Sequence, residues 1–237
     1  MIMPMQQPQD GSWPASLFSS IPPLAYVFFA LCLLATGVEL FFAYLENERG
    51  RKIAKCFCVG FLAAMAIVWK SEAWPIYLGA IFGVIGDFFL LKKHKVLPIA
   101  LGTVSFFIGH VFYIIAYCFL CSFSWWVYVT LAVFYALFCL IGYNVIHKFI
   151  KEPHLAFGGI VYFGMLVLDL LFAVFACFYG KFECVFMCVL GGVCFVISDC
   201  FLVRTSFVKD VKRRDFFIMA TYMMAQILIV VGLCFSW

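Results

Sequence analysis

Charged residues are scarce in this sequence: only 12% of its 237 residues are Asp, Glu, Lys or Arg. A soluble domain usually carries about 25% charged residues. Hydrophobic residues make up 67% of the chain, which is more apolar surface than one soluble core of this size can bury. The composition therefore excludes a soluble enzyme, a disordered regulator and a coiled coil. It predicts an all-α, polytopic membrane protein.

Signatures of several other protein classes are also missing. The net charge of +4 is small and scattered, so we expect no nucleic-acid partner. The first 20 residues contain no Lys or Arg and thus lack the basic region of a cleaved signal peptide. Most of the 12 cysteines lie inside apolar runs, where they behave as small hydrophobic side chains, and none shows the paired spacing of a zinc site. We expect neither a metal nor another cofactor.

Long apolar runs fill most of the chain. A membrane-spanning helix needs about 20 predominantly apolar residues. By this measure the sequence contains eight spans with short connections, which leave no room for a soluble domain. Residues 1–20 are predicted to form a non-cytoplasmic tail, and residues 21–237 a single membrane domain. The predicted spans cover about 22–45, 53–70, 74–91, 97–120, 125–146, 155–178, 182–203 and 216–236.

The basic residues alternate between the two sides of this predicted bundle. Thirteen of the 16 Lys and Arg residues lie in the loops after spans one, three, five and seven, whereas the opposite loops contain only Lys70 and Lys181. Because basic loops remain in the cytoplasm, these four loops are predicted to be cytoplasmic and both termini to lie on the other side. A missing or additional span would disrupt this alternation, so the charge pattern also favours eight spans. The cluster at 92–95 is interpreted as a topology anchor.

An internal repeat divides the chain into two halves. The segment VIGDFFLLK at 84–92 reappears as VISDCFLVR at 196–204, 112 residues later. The same offset relates His110 to Tyr222. An even number of helices in each half gives both halves the same orientation, so the pattern predicts a parallel repeat of two four-helix halves, about 21–122 and 123–237.

Two aspartates stand out among the ionisable residues inside the spans. A charge in the hydrocarbon region costs about 2.5–3.5 kcal/mol on insertion scales, so such residues indicate function or pairing. Asp87 and Asp199 each precede the first basic residue of a predicted cytoplasmic loop by five positions, which puts both about 7–8 Å inside the membrane. Glu39 and Lys55 fall in the same half of the bilayer, and a pocket open to the cytoplasmic leaflet follows. The other intramembrane candidates are His110 and Asp169.

Four short segments carry a family resemblance. They are IGDFFL at 85–90, GHVFY at 109–113, FVISD at 195–199 and MATYMMAQ at 219–226, and Lys55 precedes them in the second span. In this order and spacing the chain resembles the YhhN-type lysoplasmalogenase family of membrane proteins over about residues 20–237. The resemblance implies an enzyme that hydrolyses the vinyl ether bond of lysoplasmalogens, giving a fatty aldehyde and glycerophosphocholine or glycerophosphoethanolamine. The resemblance also implies that the substrate is a lysophospholipid and that the protein contacts membrane lipids. We expect the protein in the endoplasmic reticulum.

Paired carboxyl groups suit that chemistry. A vinyl ether is cleaved when its β-carbon is protonated and water attacks the resulting oxocarbenium ion. Asp87 and Asp199 are the candidate acid and base, one protonated and the other kept ionised by a nearby donor such as Lys55 or His110. His110 is also the third catalytic candidate. The candidate substrate-binding residues would orient water or the glycerol hydroxyl, or hold the phosphate. They are Lys55, Tyr113, Ser198, Tyr222 and Gln226.

Three other functions fit the same residues. A lipid or small-molecule transporter could use a buried carboxylate site within parallel repeats. An intramembrane aspartyl hydrolase acting on peptides could use the pair of aspartates, and a metal hydrolase could combine His110 with Asp87 and Asp199. The sequence leaves open the head-group preference, the role of each aspartate and the oligomeric state.

Overall fold

The part of the chain that the structure describes forms a single bundle of eight α-helices. The computed structural model describes residues 21–91, 96–146, 153–179, 182–207 and 211–237. The predicted tail at 1–20, the lysine cluster at 92–95 and the basic residues Lys148, Lys151, Lys181 and Lys209 lie outside these ranges. Within them the helices are α1 (Pro23–Tyr44), α2 (Glu48–Trp69), α3 (Trp74–Leu90), α4 (Val96–Leu120), α5 (Trp125–Ile146), α6 (Pro153–Tyr179), α7 (Phe182–Phe207) and α8 (Arg214–Ser236).

Seven of these helices are long and apolar enough to cross a membrane, and α3, with 17 residues, is shorter. The prediction of an all-helical membrane protein is confirmed in this form. The helix ends lie close to the predicted ones, and α2 differs most. It begins at Glu48, because the Asn47 side chain accepts a hydrogen bond from the Gly50 amide and caps the helix. The basic residues at 49–52 therefore lie in the first turns of α2.

Consecutive helices pack as pairs. Helix α1 packs along α2, α3 along α4, and α7 along α8, while α5 lies on α6 at the edge of the bundle. Helix α8 also contacts α1, α2, α3 and α4, so it forms the centre of the bundle. Its buried face includes Tyr222 and Gln226, which are one turn apart. Polar side chains on this face therefore point toward the middle of the protein.

Glycines allow α3 and α4 to approach closely. A Cβ atom on Gly109 would lie 3.0 Å from the carbonyl oxygen of Gly79, and one on Gly86 would lie 2.8 Å from the Phe106 ring. Small residues at a helix crossing bring the backbones together in membrane proteins. This contact fixes the rotation of α3 and directs Asp87, which is only 1% exposed, into the bundle.

The two ends of the bundle differ in chemistry. At one end Trp69 packs on Phe235 with ring centroids 4.6 Å apart, and Phe119 contacts both Trp74 and Trp237 at 5.9 and 6.0 Å. Tryptophans of this kind lie at membrane interfaces. Arginines and lysines at the start of α2 and α8 occupy the opposite end, here called the basic end. Helix α3 runs between the two, from Trp74 at the aromatic end toward Asp87 near the basic end.

Candidate active site

Asp87 is surrounded by hydrogen-bond and charge partners from two other helices. Its Oδ1 atom lies 3.0 Å from Nζ of Lys55 on α2, and Tyr222 on α8 donates a hydrogen bond of 2.9 Å to its Oδ2. The Lys55 side chain is 13% exposed and the Asp87 side chain 1% exposed. A cation and a hydroxyl donor thus face its two oxygens and offset part of the cost of burying its charge.

Asp199 lies on α7 in a less polar setting. Tyr162 on α6 donates a hydrogen bond to it, and its Oδ2 atom is buried without a hydrogen-bond partner in the part of the chain that the structure describes. Lys55 and His110 are both within electrostatic reach of Asp199. Among the described residues no cation lies within ion-pair distance of Asp199, whereas Lys55 lies 3.0 Å from Asp87.

Two residues connect the two carboxyl groups. Lys55 interacts electrostatically with both Asp87 and Asp199, and so does the Tyr162 hydroxyl, which also interacts with Tyr222. Asp87 and Asp199, predicted from opposite halves of the sequence, thus share Lys55 and Tyr162 as electrostatic partners.

His110 on α4 pairs with a third buried carboxylate. Its Nδ1 atom lies 2.9 Å from Oδ2 of Asp169 on α6, and both side chains are almost fully buried. The ring also packs edge-on against Phe195, with centroids 4.6 Å apart. A carboxylate on one ring nitrogen fixes the orientation of the imidazole and leaves the other nitrogen for a different partner.

A polar pair lies next to this site on the side of α3 and α8. Tyr113 donates a hydrogen bond of 2.8 Å to Oε1 of Gln226. A Cβ atom on Gly83 would lie 3.3 Å from Nε2 of Gln226 and 3.6 Å from the hydroxyl of Tyr222. Gly83, one turn before Asp87, therefore leaves room for the polar ends of both side chains.

The structure brings most of the sequence-predicted site residues together. Ser198, expected to orient water, donates its hydroxyl to the carbonyl of Ile218 at 3.0 Å and so links α7 to α8. Lys55, expected either to keep one aspartate ionised or to hold a phosphate, forms an ion pair with Asp87. In both cases the side chain has a protein partner inside the bundle, since an unpaired polar group there is costly.

Tyr162 was missed by the sequence reasoning. It lies seven residues before Asp169, which puts both side chains on one face of α6 two turns apart. A tyrosine at this spacing from an intramembrane aspartate is the signal that could have identified it.

A second charged group lies closer to the basic end. Arg51 forms an ion pair with Asp215 at the start of α8, and its Nε atom is 3.8 Å from Oε1 of Glu39. Glu39 is fully buried and interacts electrostatically with Lys55 and Asp87 as well. Charged side chains therefore continue from the surface of the basic end to the two aspartates. Among the described residues, no three His, Cys, Asp or Glu side chains are grouped so that they could hold a metal ion.

Comparisons with known proteins bear on the family of this chain. Neither the curated proteins nor the solved structures contain a match to it. The model of the YhhN family matches residues 50–233, a range that includes Asp87, Asp199 and every other residue of the site described above except Glu39. Because this match covers well over half of the sequence, the chain belongs to the YhhN family.

Proposed function

We propose that this protein is a lysoplasmalogenase, which hydrolyses the vinyl ether bond of alkenyl-glycerophosphoethanolamine or alkenyl-glycerophosphocholine. The observation that carries the proposal is the buried Asp87 carboxylate between Lys55 and Tyr222, with Asp199 as a second buried carboxyl that shares Lys55 as an electrostatic partner. Membership of the YhhN family is consistent with this activity. The apolar helices around the site would accommodate the alkenyl chain, so that only the ether and the glycerol reach the carboxyl groups.

In the first step Asp199 donates its proton to the β-carbon of the vinyl ether. Among the described residues Asp199 lacks the close ion pair that Asp87 makes with Lys55, and this difference supports its role as the acid. Protonation converts the vinyl ether to an oxocarbenium ion at the α-carbon. The ionised Asp87, held by Lys55 and Tyr222, stabilises this positive charge, as one of two paired carboxylates does in glycoside hydrolysis.

In the second step water attacks the oxocarbenium carbon. His110, oriented by Asp169, takes a proton from this water, and a hemiacetal results. The hemiacetal then collapses: its hydroxyl proton is lost, the bond to the glycerol oxygen breaks, and that oxygen takes up a proton. The products are a fatty aldehyde and the glycerophospho-alcohol. Asp199 recovers its proton from the imidazolium of His110, with which it interacts electrostatically.

The proposal includes a membrane topology. Helix α3 would cross the membrane in addition to the seven longer helices, which gives eight spans in total. Its 17 residues extend about 26 Å, and it runs from the aromatic end toward the basic end. Eight spans put both termini on the non-cytoplasmic side and the basic end in the cytoplasm. The helix pairs of the bundle, with α3 and α4 matched by α7 and α8, support a parallel repeat of two halves. A lipid substrate of this kind suits the endoplasmic reticulum.

Aldehyde release from defined lipids tests the activity. Purified protein in a maltoside detergent is incubated with a lysoplasmalogen, with the saturated alkyl-ether lysolipid and with the ester-linked lysolipid. We expect aldehyde from the lysoplasmalogen alone, because only its β-carbon can accept the proton. A chelator should leave the rate unchanged.

Other outcomes would point to the other functions. Cleavage of the ester lipid at an equal rate would contradict the vinyl-ether chemistry, and loss of activity with the chelator would favour a metal hydrolase. Binding or transfer of intact lysoplasmalogen across vesicles, without aldehyde, would favour a transporter.

A further inference from the structure

A cleft of about 360 Å³ opens at the basic end of the bundle. Its walls come from the connection between α1 and α2 and from the start of α8. Charges of both signs line it: Arg51, Lys212, Arg213 and Arg214 are basic, and Glu46, Glu48 and Asp215 are acidic. A cleft with this mixture of charges fits a ligand that is itself both anionic and cationic.

Two of the arginines in this cleft are held in place by the fold. Arg51, whose side chain is 14% exposed, pairs with Asp215 and Glu39. The guanidinium carbon of Arg213 lies 3.8 Å from the ring centroid of Tyr44. An arginine with a fixed orientation loses less entropy when it binds a phosphate, and its donors match the phosphate oxygens.

The backbone of the cleft is also unusual. Glu46 and Arg213 have φ angles of 57° and 59°, and they are the only non-glycine residues with positive φ in the described ranges. Both line the cleft. Such conformations persist where the surrounding structure fixes them, and they are often found at ligand clamps.

A second, much smaller depression of about 10 Å³ lies beside this cleft. Its lining includes Glu48 and Arg51, which also belong to the cleft, and then Lys52 and Lys55. Lys55 is the residue whose Nζ atom lies 3.0 Å from Asp87. One face of α2 therefore carries charged side chains from the cleft to Asp87.

The separation along α2 matches the dimensions of a lysolipid. Arg51 and Lys55 are one turn apart, about 6 Å along the helix axis. In a lysoplasmalogen five covalent bonds join the phosphorus to the vinyl ether oxygen, which corresponds to about 6 Å when they are extended. A phosphate next to Arg51 would thus put the vinyl ether at the level of Lys55 and Asp87.

We infer that this cleft is the head-group site for a zwitterionic phospho-amine lysolipid, an inference that rests on the proposed function. Arg51, Lys212 and Arg213 bind the phosphate. Glu46 and Glu48 bind the terminal ammonium of an ethanolamine or choline group. The head group then holds the lipid along this face of α2, so that its vinyl ether reaches Asp87.

Binding of glycerophosphoethanolamine, which has the head group but no vinyl ether, tests this inference without any turnover. We expect measurable binding by calorimetry in a maltoside detergent. The double variant Lys212→Gln/Arg213→Gln should weaken the binding at least about tenfold, because two charge-assisted contacts are lost. Arg49→Gln is the matched control: Arg49 is exposed in the first turn of α2 and does not line the cleft. It should bind as the unaltered protein does.

Two further measurements separate this site from the chemistry. Glu46→Gln should weaken the binding of glycerophosphoethanolamine more than the binding of glycerol 3-phosphate, which lacks the ammonium group. The double variant should also raise the KM of the lysoplasmalogen about tenfold relative to that of alkenylglycerol, which has no head group. Asp87→Asn should still bind glycerophosphoethanolamine. A variant that binds but does not hydrolyse would therefore argue against neither the cleft nor its head-group role. Equal binding by the double variant and the Arg49→Gln control, with melting temperatures unchanged, would overturn it.

Discussion

A buried ion pair between Lys55 and Asp87 links α2 to α3, and it has a cost as well as a function. Both side chains are largely removed from solvent. Their mutual attraction offsets the desolvation of each charge, and removing one partner leaves the other charge buried alone. The pair thus ties the stability of the bundle to the ionised state that Asp87 needs for the proposed chemistry.

Replacement of Lys55 tests this link. Lys55→Met should destabilise the protein by about 3–5 kcal/mol, because Asp87 would remain buried without its cation. The double variant Lys55→Met/Asp87→Leu should regain most of that stability, since neither charge is left. Melting temperatures in detergent measure both. If the double variant melts lower than Lys55→Met, the two residues do not act as a pair.

The hydroxyl of Tyr222 acts on the same carboxylate. Tyr222→Phe removes a hydrogen bond to a charged group, worth about 1.5–3 kcal/mol, so kcat should fall roughly ten- to hundredfold. Tyr135→Phe is the matched control, because the Tyr135 hydroxyl donates at 3.0 Å to the carbonyl of Val161, in a contact between α5 and α6. It should leave the rate of aldehyde release unchanged. Equal rates in the two variants would exclude Tyr222 from the site.

At this scale the sequence identified the residues and only some of their partners. Asp87 and Asp199 were found because a charge inside an apolar run is costly and rare, and Lys55 was expected beside one of them. That this aspartate is Asp87, and that Ser198 contacts the Ile218 carbonyl, depends on helix rotation and depth, which span lengths alone do not determine. Tyr162 was missed because a single tyrosine in an apolar helix is common.

Between helices, the crossing of α3 and α4 controls the geometry of the site. Gly79 faces the Tyr113 ring so closely that a Cβ atom there would overlap it. Tyr113 in turn holds Gln226 on α8. Displacing this ring would therefore disturb both the helix contact and the polar pair beside the carboxyl groups.

Two glycine-to-alanine variants distinguish the effect of this close contact on stability from the effect of helix propensity. Gly79→Ala should lower the melting temperature and the activity, because α3 and α4 would be pushed apart. Gly60→Ala on α2 is the control, since nothing lies within 4 Å of a Cβ atom there. Alanine in a helix interior is favoured over glycine by roughly 0.5–1 kcal/mol, so this control should be as stable as the unaltered protein or more so. A Gly79→Ala protein as stable and active as Gly60→Ala would contradict the close-packed crossing.

Helix bounds were predictable to within a few residues because span length and turn signals are local properties. The largest difference, at the start of α2, arose from the Asn47 cap, which continues the helix through a basic segment that looked like a loop. Which helices contact one another was not predictable, because every span presents apolar side chains on most of its surface. The central position of α8 is a property of the packed bundle.

For the whole molecule, the number of spans determines where the termini lie. If α3 crosses the membrane, the eight spans put both termini on the same, non-cytoplasmic side. If only the seven longer helices cross, the termini lie on opposite sides. Protease protection of tags at the two ends, in sealed microsomes, distinguishes the arrangements. We expect both tags to be protected, and protection of only one would contradict the eight-span topology.

The central claim is that Asp87 and Asp199 act on one vinyl ether. Its most direct test is the rate of aldehyde release from a lysoplasmalogen by purified Asp87→Asn and Asp199→Asn, each with a melting temperature close to that of the unaltered protein. The account predicts that both variants lose at least about a hundredfold in kcat, the range expected for an acid–base residue. Full activity in either variant would contradict it.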